Sequence, residues 1–324
     1  MCVYGKWRCS VTKLHFPSLL ARIIMFLGMA WAGALCAAPA NIAIVLSDES
    51  APYQDTASSL RATLKQGGTK AVVNVYSRPE EKIDFLRESP DLIVAVGVRA
   101  AQELALQNLP TPVLAVLIPR QAFDKIARQR EHRFFSAVFL DQPLARQMEL
   151  IRLAMPDRGR VGVVLGPDSV GSLKSLQAAA SETRLGLAVE KISAAEELLP
   201  ALQRVLAESD VLLAVPDPLV FNKGTVQSLL LTTYRYQDPV IGFSHAYVKA
   251  GALASVHTTP EQAGRQAGDI VLRVLASLPA WLPPPEYPKY FSVSVNYQVA
   301  RSLGLSIGDE ISLFQKLKRA SESQ

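Results

Sequence analysis

The sequence predicts an α/β protein made of two doubly wound parallel-sheet lobes joined by a hinge that the chain crosses more than once. Three observations carry this. Short apolar runs, from Asn41 to Leu46 onward, alternate with helical patterns of about ten residues, the rhythm of βα units. The runs are apolar at nearly every position, as strands covered on both faces must be. The rhythm restarts after the run Phe134 to Leu140, and 324 residues supply about two domains at roughly 100 to 200 residues each.

Residues 1–40 read as an export signal. Lys6, Arg8, Lys13 and Arg22 face no acidic residue there, an apolar run follows from Ile23 to Leu35, and Ala37, Ala38 and Ala40 supply small residues for cleavage near Ala38 to Ala40. The run is shorter than the about 20 residues of a membrane-spanning helix. Leu35 before Cys36 argues against lipid attachment. Without this leader the net charge drops from +5 to 30 basic against 29 acidic residues, and Cys2, Cys9 and Cys36 are gone. The near balance gives a clustered basic nucleic-acid surface little support, and the lack of cysteine excludes a disulfide scaffold, a thiolate nucleophile and a cysteine metal site from residues 41–324. The expected location is the periplasm.

In chain order, Asn41 to Leu46 is a strand, followed by a helix through Leu60 and Leu64 that stops at Gly67 and Gly68. Ala71 to Tyr76 with Pro79 to Arg87, Leu92 to Val96 with Arg99 to Gln107, and Val113 to Leu117 with Arg120 to Gln129 repeat the unit. After Phe134 to Leu140 come the helix Pro143 to Met155, strand Val161 to Leu165, helix Ser169 to Thr183, strand Leu187 to Ile192, helix Glu196 to Ala207, strand Val211 to Val215, helix Lys223 to Tyr236 and strand Val240 to Phe243. Ser193 with Glu196 and Thr259 with Gln262 fit capping boxes, and Pro260 suits a first helical turn. Beyond the helix Pro260 to Ala276, a cluster of prolines (Pro279, Pro283 to Pro285, Pro288) forms a stiff connection. It leads to the extended run Phe291 to Val295 and the short helix Tyr297 to Leu303. The expected division is lobe I at 41–137 plus 256–285, lobe II at 138–255, a returning segment at 286–309 and a polar tail at 310–324.

Enzyme motifs are sparse. Gly242 to Ala246 approximates a nucleophile elbow around Ser244, but its last glycine is replaced by Ala246, and adjacency of Ser244 to His245 is not catalytic geometry. His132, His245 and His257 have no metal-ligand spacing, and no phosphate-binding glycine loop follows a strand. No enzyme activity, metal or cofactor is expected. Ligands of open α/β sheets sit beyond the carboxyl ends of the strands. That rule selects Ser47, Asp48 and Tyr53, then Gly97, Arg99 and Ala100, then Ile118 and Pro119, in the first lobe. In the second it selects Asp168, Ser169, Asp217, Phe221, Phe243 and Ser244. Helix starts at Arg99 and Ser169 suit a carboxylate. Asp48 and Asp168 serve equally as helix caps, Asp217 between two prolines as a turn residue, and the aromatics as core.

The segments Met148 to Pro156 (MELIRLAMP), Arg160 to Gly166 (RVGVVLG), Val215 to Asp217, and Val295 and Asn296 through Leu303 to Ile307 resemble the ABC-transporter substrate-binding protein family with the type I periplasmic binding fold. The resemblance covers most of residues 41–309. It implies a monomer that closes on a small organic solute and meets an inner-membrane ABC permease, with no nucleic-acid partner. Relatives that bind aromatic amino acids imply a zwitterion, with its ammonium at Asp217, its carboxylate at a helix start and its ring among Tyr53, Phe221 and Phe243. The same pocket would serve a sensor partnered with a membrane receptor kinase, and Ser244 would serve a hydrolase.

Overall fold

The computed structural model describes residues 39–77, 89–107, 109–128, 134–277 and 281–322. The leader, the helix expected from Pro79 to Arg87, and His132 lie outside the described residues. One sheet contains β1 (Asn41–Leu46), β2 (Val72–Tyr76), β3 (Leu92–Val96), β4 (Val113–Ile118) and β5 (Phe135–Phe139). Its order is β2-β1-β3-β4-β5 and every pairing is parallel. The second contains β6 (Arg160–Leu165), β7 (Gly186–Lys191), β8 (Val211–Leu213), β9 (Val240–Gly242), β10 (Ala254–His257) and β11 (Ser292–Val295), ordered β11-β10-β9-β8-β6-β7. Only its edge strand β11 runs antiparallel.

The central strands of the first sheet are buried on both faces, which is why β1, β3 and β4 lack a polar alternation. Along β1, Ile42, Ile44 and Leu46 enter one core while Ala43 and Val45 enter the other. Each buried Ile or Leu contributes about 1.5–3 kcal/mol. The first face is covered by α1 (Ala51–Gln66) and α9 (Pro260–Ala276), the second by α2 (Val98–Leu106) and α3 (Arg120–Ala127). The second sheet is covered on one side by α4 (Leu144–Ala154), α5 (Leu173–Thr183) and α11 (Glu310–Glu322), and on the other by α6 (Leu198–Leu206), α7 (Val226–Arg235) and α8 (His245–Ala250). The short α10 (Tyr297–Ser302) follows β11, capped by Asn296, whose side chain accepts from Gln298 and Val299 N–H.

The chain passes between the sheets three times, after β5, after β10 and before β11. The three passages are tied together. Gln142 Nε2 donates to Thr258 Oγ1 at 2.8 Å, and that hydroxyl donates to the Tyr290 carbonyl at 2.8 Å. Arg146 Nη1 donates to Gln142 Oε1 at 2.7 Å and to the Pro288 carbonyl at 2.9 Å, while its guanidinium lies 4.3 Å from the centre of the Phe291 ring. Burial pushes the Arg146 group down to about 10, so it stays charged at neutral pH.

Several expectations are corrected. The boundary between 255 and 256 falls inside β10, which the sequence reading lacks: polar Ser255 and His257 alternate with Ala254 and Val256, and only the latter pair enters the core opposite β11. The boundary between 137 and 138 falls inside β5 for a similar reason, since Val138 still bridges to Glu286 within the first lobe. Residues 310–324 are not a loose polar tail. Glu310 to Glu322 form α11, and Leu313 and Leu317 are fully buried against the second sheet; their i, i+4 spacing is a narrow apolar stripe on an otherwise charged helix. Thr259 and Gln262 do form a capping box. Ser193 does not: its N–H donates to Glu197 Oε2 at 2.8 Å, and a 3₁₀ turn, Ala195–Glu197, precedes α6.

Helices α1 and α9 approach so closely that a Cβ on Gly264 would meet the Thr56 carbonyl oxygen, and one on Gly268 would sit 2.6 Å from Thr63 Cβ. We expect Gly264→Ala to destabilise the protein by about 1–3 kcal/mol through overpacking. Gly159→Ala, where nothing lies within 4 Å, should leave thermal unfolding nearly unchanged. Equal melting temperatures for both variants would refute the tight crossing.

Candidate functional site

Each sheet has a point where neighbouring strands lead away in opposite directions, and ligands of open α/β sheets gather there. In the first sheet it lies between β1 and β3. Ser47 Oγ, just after β1, donates to the Val96 carbonyl at 2.9 Å and accepts the Ala100 N–H at 3.1 Å, so it ties β3 to the first turn of α2. Gly97 sits between them at φ 94, and a Cβ there would strike Ser47 Oγ and come within 2.8 Å of the Tyr53 ring. Tyr53 is partly buried, which raises its phenol, with the Asp48 charge assisting. Asp48 accepts the Ser50 N–H at 2.7 Å. Hydrogen bonds from Ser50 hold its carboxyl below the ordinary value, with a smaller contribution from Arg99. Ser47, Asp48, Tyr53, Gly97, Arg99 and Ala100 are thus brought together.

In the second sheet the corresponding point lies between β6 and β8, and its polar groups satisfy one another. Asp217, only 3% exposed, accepts the Ser169 N–H at 2.8 Å and the Ser169 hydroxyl at 2.9 Å on Oδ2, and the Leu219 N–H at 2.9 Å on Oδ1. Ser169 Oγ accepts in turn from Gly166 N–H at 2.9 Å. The amide expected to receive a carboxylate and the carboxylate expected to receive an ammonium are therefore each other's partners. Of the two readings of Asp217, the geometry shows the turn role. Helix α5 also begins later than expected, after a 3₁₀ turn at Val170–Ser172.

Phe221, Phe243 and Tyr247 form an edge-on aromatic cluster with centroids 4.4–5.9 Å apart, within the core under α8. Ser244 is the N-cap of α8, its Oγ accepting the Tyr247 N–H at 3.3 Å. That helix was not expected, because six residues are too few to show a period. The His245 ring turns instead to Ser294 Oγ, 3.0 Å away, and stacks with His257 at 5.8 Å. His257 is buried against Ser255, with 3.1 Å between Nδ1 and Oγ. Burial pushes its imidazole down to about 4, with the neighbouring His245 acting in the same direction.

Between the sheets lies a cavity of about 250 Å³. Pro119, Arg120 and Asp124 line it from the first sheet, Asp141, Gln142 and Gln147 from the first passage and α4, and Asp168, Ser172, Ser175 and Val215 from the second sheet. Tyr287 closes it from the third passage. A β-bulge delivers the first group: the register of β4 against β5 shifts between Ala115 and Ile118, and Leu117 adopts φ 52. Arg120 is held by the Tyr287 hydroxyl at 2.6 Å and by Asp124 at 3.7 Å, and its N–H donates to Asp141 Oδ2 at 2.5 Å. Burial raises the Asp141 carboxyl, and the Arg120 N–H opposes this. Lys125 of α3 reaches across to Asp168 at 3.0 Å; both ends are exposed enough that the pair contributes little stability by itself.

Of the residues selected from the sequence, Pro119 and Asp168 line this cavity. Asp141, Gln142 and Gln147 were missed, although Asp141 directly follows the run Phe134 to Leu140 and the strand-end rule applies there as well. Arg120 and Tyr287 had no motif to mark them.

A family model described as ABC transporter substrate binding protein matches residues 66–318. Among curated proteins no sequence match was found. Solved structures share the fold at low identity. A ligand-free, open substrate-binding protein with adhesive properties from Clostridium difficile is 18% identical, with a TM-score of 0.68 over 83% of this chain and 96% of its own. An ABC domain in complex with L-Trp from Streptococcus pneumoniae is 17% identical, with a TM-score of 0.59 over 86% and 98%. A periplasmic ribose ABC transporter structure from Conexibacter woesei is 11% identical, with a TM-score of 0.51 over 87% and 99%.

Two outcomes are expected. Asp217→Ala leaves the Ser169 and Leu219 N–H groups without their charged acceptor and should lower stability by about 3 kcal/mol in urea unfolding; an unchanged midpoint would remove the loop-organising role. His257 has a folded value near 4 against an ordinary 6.5, so below 6.5 the unfolded chain takes up a proton that the folded chain refuses. Stability should fall as pH drops from 6.5 towards 4, and His257→Gln should flatten that part of the pH profile.

Proposed function

The chain belongs to the ABC transporter substrate-binding protein family, and from that premise we propose that it closes two lobes around a small organic solute in the periplasm and hands it to an inner-membrane permease. The observation that carries this reading is the cavity walled by strand-end loops of both sheets and bordered by the first and third passages. A hinge placed there lets the lobes separate and close about the solute, giving the permease two different surfaces to read. The leader composition of residues 1–40 supports export and cleavage near Ala38 to Ala40. The near balance of charge in the remainder supports a solute rather than nucleic acid as ligand, and the proposed working form is a monomer without a cofactor.

An amino acid is the proposed solute class, in keeping with the L-Trp held by the Streptococcus pneumoniae protein. A hydrolytic role is not supported, because the Ser244 hydroxyl caps α8 and His245 turns to Ser294. The test is a thermal-shift screen of the purified chain against amino acids, sugars and polyols. A solute at 100 times its Kd should add about 2.7 kcal/mol of stability, and small-angle scattering should then show compaction. No shift with any of these solutes would overturn the proposal.

A further inference from the structure

Each acidic group in the lining of the cavity between the sheets has a partner of its own. Asp168 pairs with Lys125 at 3.0 Å. Asp141 Oδ2 accepts the Arg120 N–H at 2.5 Å, and Asp124 Oδ2 lies 3.7 Å from Arg120 Nε. In the second lobe the Ser169 N–H, expected to receive a carboxylate, is taken by Asp217 at 2.8 Å. Donors to spare are found instead on Arg120, the one cation among the described residues that line the cavity.

A guanidinium carries five N–H donors and no acceptor. That of Arg120 makes one side-chain hydrogen bond, from Nη1 to the Tyr287 hydroxyl at 2.6 Å. Its Nε faces Asp124 beyond hydrogen-bond distance, and its Nη2 meets no acceptor among the described residues. The head of the side chain, and not only its stem, belongs to the lining, because the two residues that flank the head, Tyr287 and Asp124, both line the same cavity. The side chain is 51% exposed, so the remaining donors are accessible. It is nevertheless held in place: Cζ lies 5.6 Å from the centre of the Tyr287 ring and 6.0 Å from that of Phe139. A neutral hydroxyl and two rings orient the guanidinium without neutralising it.

We infer that Arg120 is a specificity-determining residue of the solute site, receiving the carboxylate of the solute on the donors that Tyr287 leaves free. The inference rests on the solute-binding reading and adds to it the group that is recognised and the residue that recognises it. A planar guanidinium matches a carboxylate with two charge-assisted hydrogen bonds, whereas an amide or a sugar hydroxyl offers it only a neutral acceptor. The charges around it narrow the class further. Asp124, Asp141 and Asp168 stand against Arg120 and Lys125, so a simple anion adds to an excess of carboxylate. A zwitterion does not: its ammonium offsets the lining while its carboxylate goes to Arg120.

The experiment measures calorimetric affinities of the full chain for L-tryptophan and L-leucine, for L-tryptophanamide and L-leucinamide, which keep the ammonium and side chain but lack the carboxylate, and for D-ribose. The expected result is binding of at least one amino acid, at least tenfold tighter than its amide. Arg120→Gln should weaken the amino acid about 10- to 100-fold, the loss of hydrogen bonding to a charged group, and leave the amide within about twofold, so that the preference collapses. Thermal unfolding reports whether the variant folds; should it not, Arg120→Lys keeps the charge without the planar fork and should reduce the preference about tenfold. An unchanged preference for the acid over the amide in the folded variant, or equal weakening of both, would overturn the assignment. Binding only of the amides or of D-ribose would overturn it while leaving solute binding intact, whereas no binding by any probe would bring down the solute-binding reading as well.

Discussion

The line of hydrogen bonds from Gln142 through Thr258 to the Tyr290 carbonyl is the constraint on which the rest of the molecule depends. Each of those residues stands on a different passage between the sheets, so the line fixes where the two lobes meet. Arg146 reinforces it by joining the first passage to the third while stacking on Phe291. A buried guanidinium with satisfied partners holds geometry well, and removing one partner of such a network leaves an uncompensated polar group. The cavity borders this line and shares Gln142 with it. Holding the passages in register is therefore the same act as giving the cavity its shape.

The alternation of strands and helices was legible because burial on both faces removes polar residues from the central strands, and β1 or β3 can be recognised from that alone. Elements that satisfy only one face, or are short, were not legible. β10 carries Ser255 and His257 on the side away from the Val256 core, α8 has six residues, and α11 hides two leucines among charged neighbours. The strand-end rule brought Ser47, Gly97 and Ala100 together, and likewise Ser169 and Asp217. It could not tell which of these polar groups would pair internally. That depends on distances across loops nearly 50 residues apart in sequence, as between Ser169 and Asp217. The cavity residues escaped because Asp141 and Gln147, from the first passage and α4, meet Tyr287 from the third passage, about 140 residues on, which no local pattern shows.

The two lobes solve the same problem in parallel ways. At each switch point a serine hydroxyl bonds both a backbone N–H and a further oxygen, Ser47 with Ala100 and Val96, Ser169 with Gly166 and Asp217. At each, a glycine allows the approach, since a Cβ on Gly97 would meet Ser47 and one on Gly166 would meet Asp217. These loops are rigid by construction. Strand ends braced in this way suit the proposed closure, in which the walls of the cavity would be carried as bodies.

The placement of α9 and α11 has a consequence for how the molecule comes into being. The first lobe needs α9, whose residues follow the whole second sheet up to β10, and the second needs β11 and α11 from the last residues of the chain. Contacts of such long sequence separation slow folding, so each sandwich waits for segments that lie far along the chain from its first strands.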